Sequence, residues 1–167
     1  MNIIAAADKN MGIGLGSSLL FDIPEDKKFF KKMTVGKTVI MGRKTYESLP
    51  VKPLPERRNI ILTRNRSAVF PGAESCCSLN ELITLIKDTP KEDVFVIGGE
   101  EIYSFLLPMC STAYITCIME TAPADRHIYD FENSSSWYCD HTSEMFYHNG
   151  TGYCFKTFRR YGTVSSE

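Results

Sequence analysis

Five short, near-continuously apolar runs constrain this chain more than any other feature. They are IIAAA at 3–7, TVIM at 38–41, NIILT at 59–63, VFVI at 94–97 and AYITCI at 113–118. A strand that is apolar on successive rather than alternate residues is buried on both faces, as in a parallel sheet covered by helices. Helix-like stretches stand between the runs. Residues 24–34 begin with Pro24 and carry two acids in the first turn, a helix start. Ser78-x-x-Glu81 is a capping box opening an amphipathic stretch to about residue 87. A short helix follows Gly42, and another follows Gly98-Gly99 to about residue 107. This alternation predicts an α/β fold with a mostly parallel central sheet of about eight strands and helices on both faces. Residues 137–147 and 153–161 bracket an Asn-Gly-Thr-Gly turn and read as an antiparallel C-terminal hairpin at the sheet's edge. Residues 8–23, with Gly12, Gly14 and Gly16, read as a loop, and 50–56 as a proline-rich irregular stretch. No repeat, low-complexity tract or linker divides the chain, so a single domain over 1–167 is expected.

Composition excludes several classes of partner. The 43% apolar share fits a packed core. Nineteen basic against twenty acidic residues, a net charge of −1, gives neither a nucleic-acid footprint nor a polybasic membrane anchor. No run approaches the roughly 18–20 apolar residues of a membrane helix. The start MNIIAAAD lacks the basic opening of a secretion signal, so a cytoplasmic setting is expected. The six cysteines form no C-x-x-C pair and no zinc-spaced cluster, so neither a metal nor a disulfide framework is expected. Cys117 and Cys154 read as small buried hydrophobes, and Cys76-Cys77 as a strand end without redox role. His127, His141 and His148 read as surface residues. No interface stripe stands out, and a monomer is expected.

Sheets of this kind bind ligands outside the carboxyl ends of their strands, so the residues just after each strand matter most. Gly42-Arg43-Lys44-Thr45 follows the second run, Thr63-Arg64-Asn65-Arg66 closes the third, and Gly98-Gly99 follows the fourth. Helix starts offer free N–H groups to an anion, and glycine lets backbone approach a ligand closely. Together these ends suit a dinucleotide, with the cations favouring an extra ribose phosphate. Each feature alone has an ordinary reading as a turn or a solvated loop charge. Neither the G-x-G-x-x-G fingerprint nor the phosphate loop ending in G-K-[ST] is present.

One acid stands on an unexpected face. Relative to Asp26, the apolar residues Phe29, Phe30 and Met33 lie at i+3, i+4 and i+7, which places its carboxylate on the apolar stripe of the helix. Two readings stand: a first-turn acid complementing the helix dipole, or a desolvated carboxylate waiting for the N–H groups of a flat, amidine-like heterocycle.

In this order and spacing the chain resembles dihydrofolate reductase over nearly its full length. The matching stretches are Ile13-Gly14; Ile23-Pro-Glu-Asp26 with Phe30; VIMGRKTYES at 39–48; Pro53-Leu-Pro55 with Arg57; NIIL at 59–62; Val96-Ile-Gly-Gly99 with Ile102-Tyr103; and Tyr114-Ile-Thr116. The resemblance implies reduction of 7,8-dihydrofolate by NADPH, with hydride passing to pterin carbon 6 and a proton to nitrogen 5. It implies dihydrofolate and folate analogues as ligands. Asp26 is then the acid that grips the pterin, supported by Thr116, with water as the proton's courier. Arg57 is the clamp for the glutamate α-carboxylate, a geometry that suits guanidinium. Ile4, Ala6, Phe30, Leu49 and Leu54 are the apolar walls of the substrate site. Ala6, Ile13, Gly14 and Leu19 surround the nicotinamide. Gly42, Arg43, Lys44, Thr45, Leu62, Thr63 and Arg64 meet the rest of the cofactor. Gly98 and Gly99, joined by a cis peptide in this family, line the same crevice with Ile97, Ile102 and Tyr103.

Three departures stand out. Leu19-Leu20-Phe21 replaces the usual Leu-Pro-Trp, so Phe21 brings no indole N–H to hold a water in the catalytic site. Lys27 stands where an apolar or amide residue is more common, beside the substrate's glutamate tail or turned outward. Glu100, followed by Glu101, replaces a frequent third glycine at the cofactor's pyrophosphate. A pyrimidine reductase of riboflavin synthesis and a non-catalytic nucleotide-binding module are the competing readings. Arg57 after Pro-Leu-Pro and the acid at 26 oppose the first.

Overall fold

The structure, a computed structural model, describes residues 1–162 of the 167. In chain order the elements are β1 (Asn2–Ala7), β2 (Gly12–Leu15), β3 (Ser18–Leu19), α1 (Pro24–Thr34), β4 (Thr38–Gly42), α2 (Arg43–Ser48), β5 (Arg58–Leu62), β6 (Glu74–Cys76) and α3 (Leu79–Ile86). There follow β7 (Val94–Gly98), α4 (Glu100–Leu106), β8 (Thr112–Ile118), β9 (Arg126–His127), β10 (Trp137–Thr142), β11 (Phe146–His148) and β12 (Thr151–Arg160).

The central sheet runs in the order β10-β12-β8-β1-β7-β4-β5-β6, and β11 adds a ninth strand alongside β12. From β8 to β6 the pairs are parallel, while β12 is antiparallel to β8, β10 and β11. The expected fold class therefore stands, with β10 and β11 forming two separate pieces opposite one long β12.

Burial on both sheet faces explains the apolar runs. Ile3, Ile40, Ile60 and Val96 pack on one face with Leu82, Tyr103 and Leu106 from α3 and α4. Their neighbours Ile4, Val39, Met41, Ile61 and Phe95 pack on the other with Phe29, Phe30 and Met33 of α1 and Tyr46 of α2. Side chains alternate across a strand, so a sheet covered on both sides needs apolar residues at every position.

Helix α1 occupies the expected residues, with Pro24 at its start, Glu25 and Asp26 in its first turn, and Lys31 and Lys32 in its last. Those charges complement the helix dipole at both ends. At α3 the Ser78 Oγ accepts from the Glu81 N–H at 3.2 Å, while the Glu81 carboxylate accepts from the Cys77 N–H at 2.7 Å. The capping box thus reaches one residue further back than the usual arrangement.

Residues 8–23 differ from expectation. They carry β2 and β3, which form a small antiparallel sheet with β9. Strands of two to four residues hold too little pattern to be read locally, and the partner β9 lies over a hundred residues away along the chain. Asp8, 2% exposed, fixes this segment. Its Oδ1 accepts from the Asn10 and Gly12 N–H groups, both at 2.8 Å, and its Oδ2 from the Ala122 N–H at 3.0 Å. Asp125 Oδ1 accepts from the Gly16 N–H at 3.0 Å.

Two further readings are refined. His148 is half-buried rather than fully at the surface, with Nδ1 3.6 Å from a Glu25 carboxylate oxygen on α1. All six cysteines are free, and burial pushes the Cys117 thiol up to about 12. Among the described residues, no helix is long and apolar enough to cross a membrane.

Candidate active site

The carboxyl ends of β1, β4, β7 and β8 open on one crevice between α1, the β2–β3 segment and the starts of α2 and α4. At its inner end stands Asp26. The Thr116 hydroxyl, on β8 and 1% exposed, donates to Asp26 Oδ1 at 2.6 Å. Burial raises the Asp26 carboxyl above its ordinary value, opposed by the Thr116 hydrogen bond and by the charge of Lys27. Asp26 thus carries a largely desolvated carboxyl on the helix stripe while also standing in the first turn of α1. Thr116 Oγ1 uses one carboxylate oxygen, so the other remains for a donor arriving from the crevice.

Apolar walls rise on both sides. Ile4, Phe30, Leu49, Leu54 and Ile97 belong to one packed cluster. Ala6, Gly12, Ile13, Leu19, Leu20, Phe21 and Ile118 line a small cavity beside it. Phe21 offers this cavity no hydrogen-bond donor from its side chain. Ile118, Gly12 and Leu20 line the cavity without having been expected as site residues. The alternation of β8, which brings Thr116 and Ile118 to the same face, was the available signal for Ile118.

Arg57 stands at the outer end. Its Nε donates to Thr34 Oγ1 at 2.9 Å, one terminal nitrogen donates to the Pro55 carbonyl at 3.1 Å, and its Cζ lies 5.8 Å from the centre of the Phe30 ring. Among the described residues no carboxylate pairs with it. Lys27 is placed differently: its Nζ lies 2.5 Å from Asp22 Oδ1, with 60% of its side chain exposed, so it turns outward from the crevice.

At the far side, the starts of α2 and α4 come together through glycine. A Cβ on Gly42 would lie 3.0 Å from Ile102 Cγ1, and one on Gly99 would lie 3.3 Å from Thr45 Oγ1. Gly98, at φ +121°, sits where a Cβ would meet the Tyr103 ring at 3.3 Å. The peptide between Gly98 and Gly99 is cis. The Tyr103 hydroxyl donates to the Ile4 carbonyl at 2.8 Å, and burial raises its pKa well above the usual phenol range.

Arg43 and Arg64 at this end are already engaged. One terminal nitrogen of Arg43 donates to both Glu47 carboxylate oxygens, at 2.7 and 2.9 Å, and Arg64 reaches Glu101 at 3.5 Å. Lys44 is exposed and has no carboxylate partner among the described residues. Thr63 accepts from the Asn65 N–H at 3.2 Å, which leaves its hydroxyl proton to donate. Glu100 turns away from the α4 axis and accepts from the His127 N–H of β9 at 3.2 Å. Among the described residues no cluster of three His, Cys, Asp or Glu side chains could hold a metal ion.

The dihydrofolate reductase family model matches residues 1–160. The chain belongs to the dihydrofolate reductase family. It is 37% identical over 161 residues to dihydrofolate reductase of Neisseria meningitidis serogroup A, covering 96% of this chain and 98% of that one. It is 37% identical over 135 residues to dihydrofolate reductase of Bacillus subtilis, covering 81% and 79%. Among solved structures, dihydrofolate reductase from Enterococcus faecalis complexed with NADP(H) and RAB-propyl superposes with a TM-score of 0.83 at 29% identity, over 96% of this chain and 95% of that one.

Proposed function

We propose that this chain reduces 7,8-dihydrofolate to 5,6,7,8-tetrahydrofolate with NADPH, as a cytoplasmic monomer supplying one-carbon metabolism. The observation that carries the reading is the desolvated Asp26 carboxylate, held by Thr116 at the inner end of an apolar crevice. A carboxylate in such surroundings gains most from a partner that brings two N–H donors in one plane. The pterin's ring nitrogen and 2-amino group supply that pair. By holding negative charge beside the ring, Asp26 favours the pterin protonated at nitrogen 5, which makes carbon 6 the electrophile. Water carries the proton, because Asp26 binds the opposite edge of the ring. Phe21 narrows the approach without fixing that water by a side-chain hydrogen bond. Arg57 meets the glutamate α-carboxylate at the other end.

The far side fits the cofactor. Gly42, Gly98 and Gly99 let the starts of α2 and α4 approach closely, because a Cβ on each would crowd Ile102, Tyr103 or Thr45, and they leave bare backbone for a ligand to approach. Thr45, Thr63 and Lys44 offer donors beside it, and Ala6, Ile13 and Leu19 give an apolar floor for the nicotinamide. When bound, NADPH supplies the hydride for carbon 6. Arg43 and Arg64 reach its phosphates by leaving Glu47 and Glu101.

The test is depletion of NADPH by pure protein in the presence of dihydrofolate. Turnover that vanishes in Asp26→Asn, while the variant still folds, supports the reading. No NADPH loss above buffer across a range of pH overturns it.

A further inference from the structure

We infer that Thr34 is a positioning residue for substrate binding: from the last turn of α1 it sets the plane of the Arg57 guanidinium so that its free edge faces the substrate's carboxylate. The inference rests on the reading of Arg57 as the carboxylate clamp.

Thr34 is fully buried, although it is a polar residue at a helix end. Its hydroxyl donates to the Phe30 carbonyl at 2.7 Å, one turn back. A hydroxyl has one proton, so the oxygen's lone pairs are left to accept, and the Arg57 Nε–H takes them at 2.9 Å. The direction of both bonds is therefore fixed. The Pro55 carbonyl takes one terminal nitrogen and the Phe30 ring lies under the carbon of the same group. Three contacts determine a plane. They hold the inner edge and one face of the guanidinium, and the remaining terminal nitrogen, with its N–H groups, has no protein partner among the described residues. A bidentate carboxylate needs this kind of oriented fork, and a fork fixed before binding loses less rotamer freedom when the ligand arrives.

The placement also ties the two ends of the substrate together. Asp26, Phe30 and Thr34 stand at i, i+4 and i+8, on one face of one helix. At 1.5 Å rise per residue, Asp26 and Thr34 are about 12 Å apart along the axis. The helix that carries the pterin's acid at its first turn thus orients the tail's cation from its last.

Thr34→Val keeps the side chain's shape and removes the acceptor. Its KM for dihydrofolate and its Kd for folate by fluorescence quenching should rise roughly tenfold, the size of a lost hydrogen bond to a charged group. Its kcat should stay within about twofold, as should its Kd for a 2,4-diaminopyrimidine that has no carboxylate tail. Thr34→Ser should restore folate affinity. In an Arg57→Gln background Thr34→Val should add no further loss, because nothing is left to orient. Equal losses for tailed and tailless ligands, or a full additional loss in the Arg57→Gln background, would show a merely structural threonine. An unchanged folate Kd in Thr34→Val also overturns the inference. If Arg57→Gln itself leaves folate affinity intact, the clamp reading has failed instead. Should Thr34→Val fold poorly, the Thr34→Ser variant alone decides, since loss of folate affinity there despite a retained hydroxyl is incompatible with the role.

Discussion

The two ends of the crevice handle charge in opposite ways. At the pterin end a single carboxylate, Asp26, is half-buried, raised in pKa by burial, and supported by one neutral hydroxyl. At the phosphate end the cations are exposed, and Arg43 and Arg64 each have a carboxylate within reach. Charge that is desolvated and unbalanced is costly, and a ligand of the right chemistry relieves it. Charge that is solvated and balanced costs the fold little and gives a ligand correspondingly less. On the proposed function, discrimination would be concentrated at Asp26, whereas the phosphate end would rely on backbone shape at Gly42, Gly98 and Gly99, with charge as a salt-sensitive supplement.

The sharpest way to break this contrast is Asp26→Asn. Turnover should fall by at least about 100-fold, with Kd for NADPH changed less than about twofold, read by steady-state kinetics and fluorescence titration. Comparable losses in both would mean that the two ends are not independent. The same variant tests the burial of charge. Between the ordinary carboxylate value and its raised value in the fold, Asp26 keeps a proton that the unfolded chain has released. Its contribution to stability is therefore full in acid and declines as pH climbs through that window. Denaturant unfolding at a series of pH values should show Asp26→Asn lacking this decline and standing above the parent at neutral pH.

Tyr103→Phe probes the joint between the ends. Losing the buried hydrogen bond to the Ile4 carbonyl should cost about 1 kcal/mol in unfolding free energy, with little change in the pH dependence. The smallest effect is expected at Glu101→Gln. Freed of its neighbour, Arg64 should bind NADPH about two- to threefold more tightly at low salt, and the gain should fade at high salt. A gain that persists in high salt would mean that this ion pair is less screened than its exposure implies.

Local pattern carried much of this molecule. The start of α1 followed from Pro24 and its acids, and helical spacing put Asp26 on the apolar stripe while leaving its role open. The apolar runs gave the parallel strands because burial on both faces leaves no polar alternation to obscure them. What pattern could not supply was pairing across the fold. Thr116 meets Asp26 only because the sheet order sets β8 beside β1, ninety residues from α1. The resemblance named that pair, whereas periodicity did not. The hold of Asp8 on Ala122, the turn of Lys27 toward Asp22 and the carboxylates beside Arg43 and Arg64 depend on side-chain directions that no spacing rule fixes. The strands β6 and β9, three and two residues long, are defined by their neighbours rather than by their own sequence.

Strand β12 has a consequence for how the protein is made. It is antiparallel to β8 over seven residue pairs, and its Phe155 ring lies 4.4 Å from Phe29 of α1. Until residues 151–160 leave the ribosome, β8 is an open edge and α1 lacks one of its packing partners. Without that strand, β8 and the Thr116 it carries stand at an unpaired sheet edge. Ligand binding should therefore begin only after the last long strand has joined the sheet.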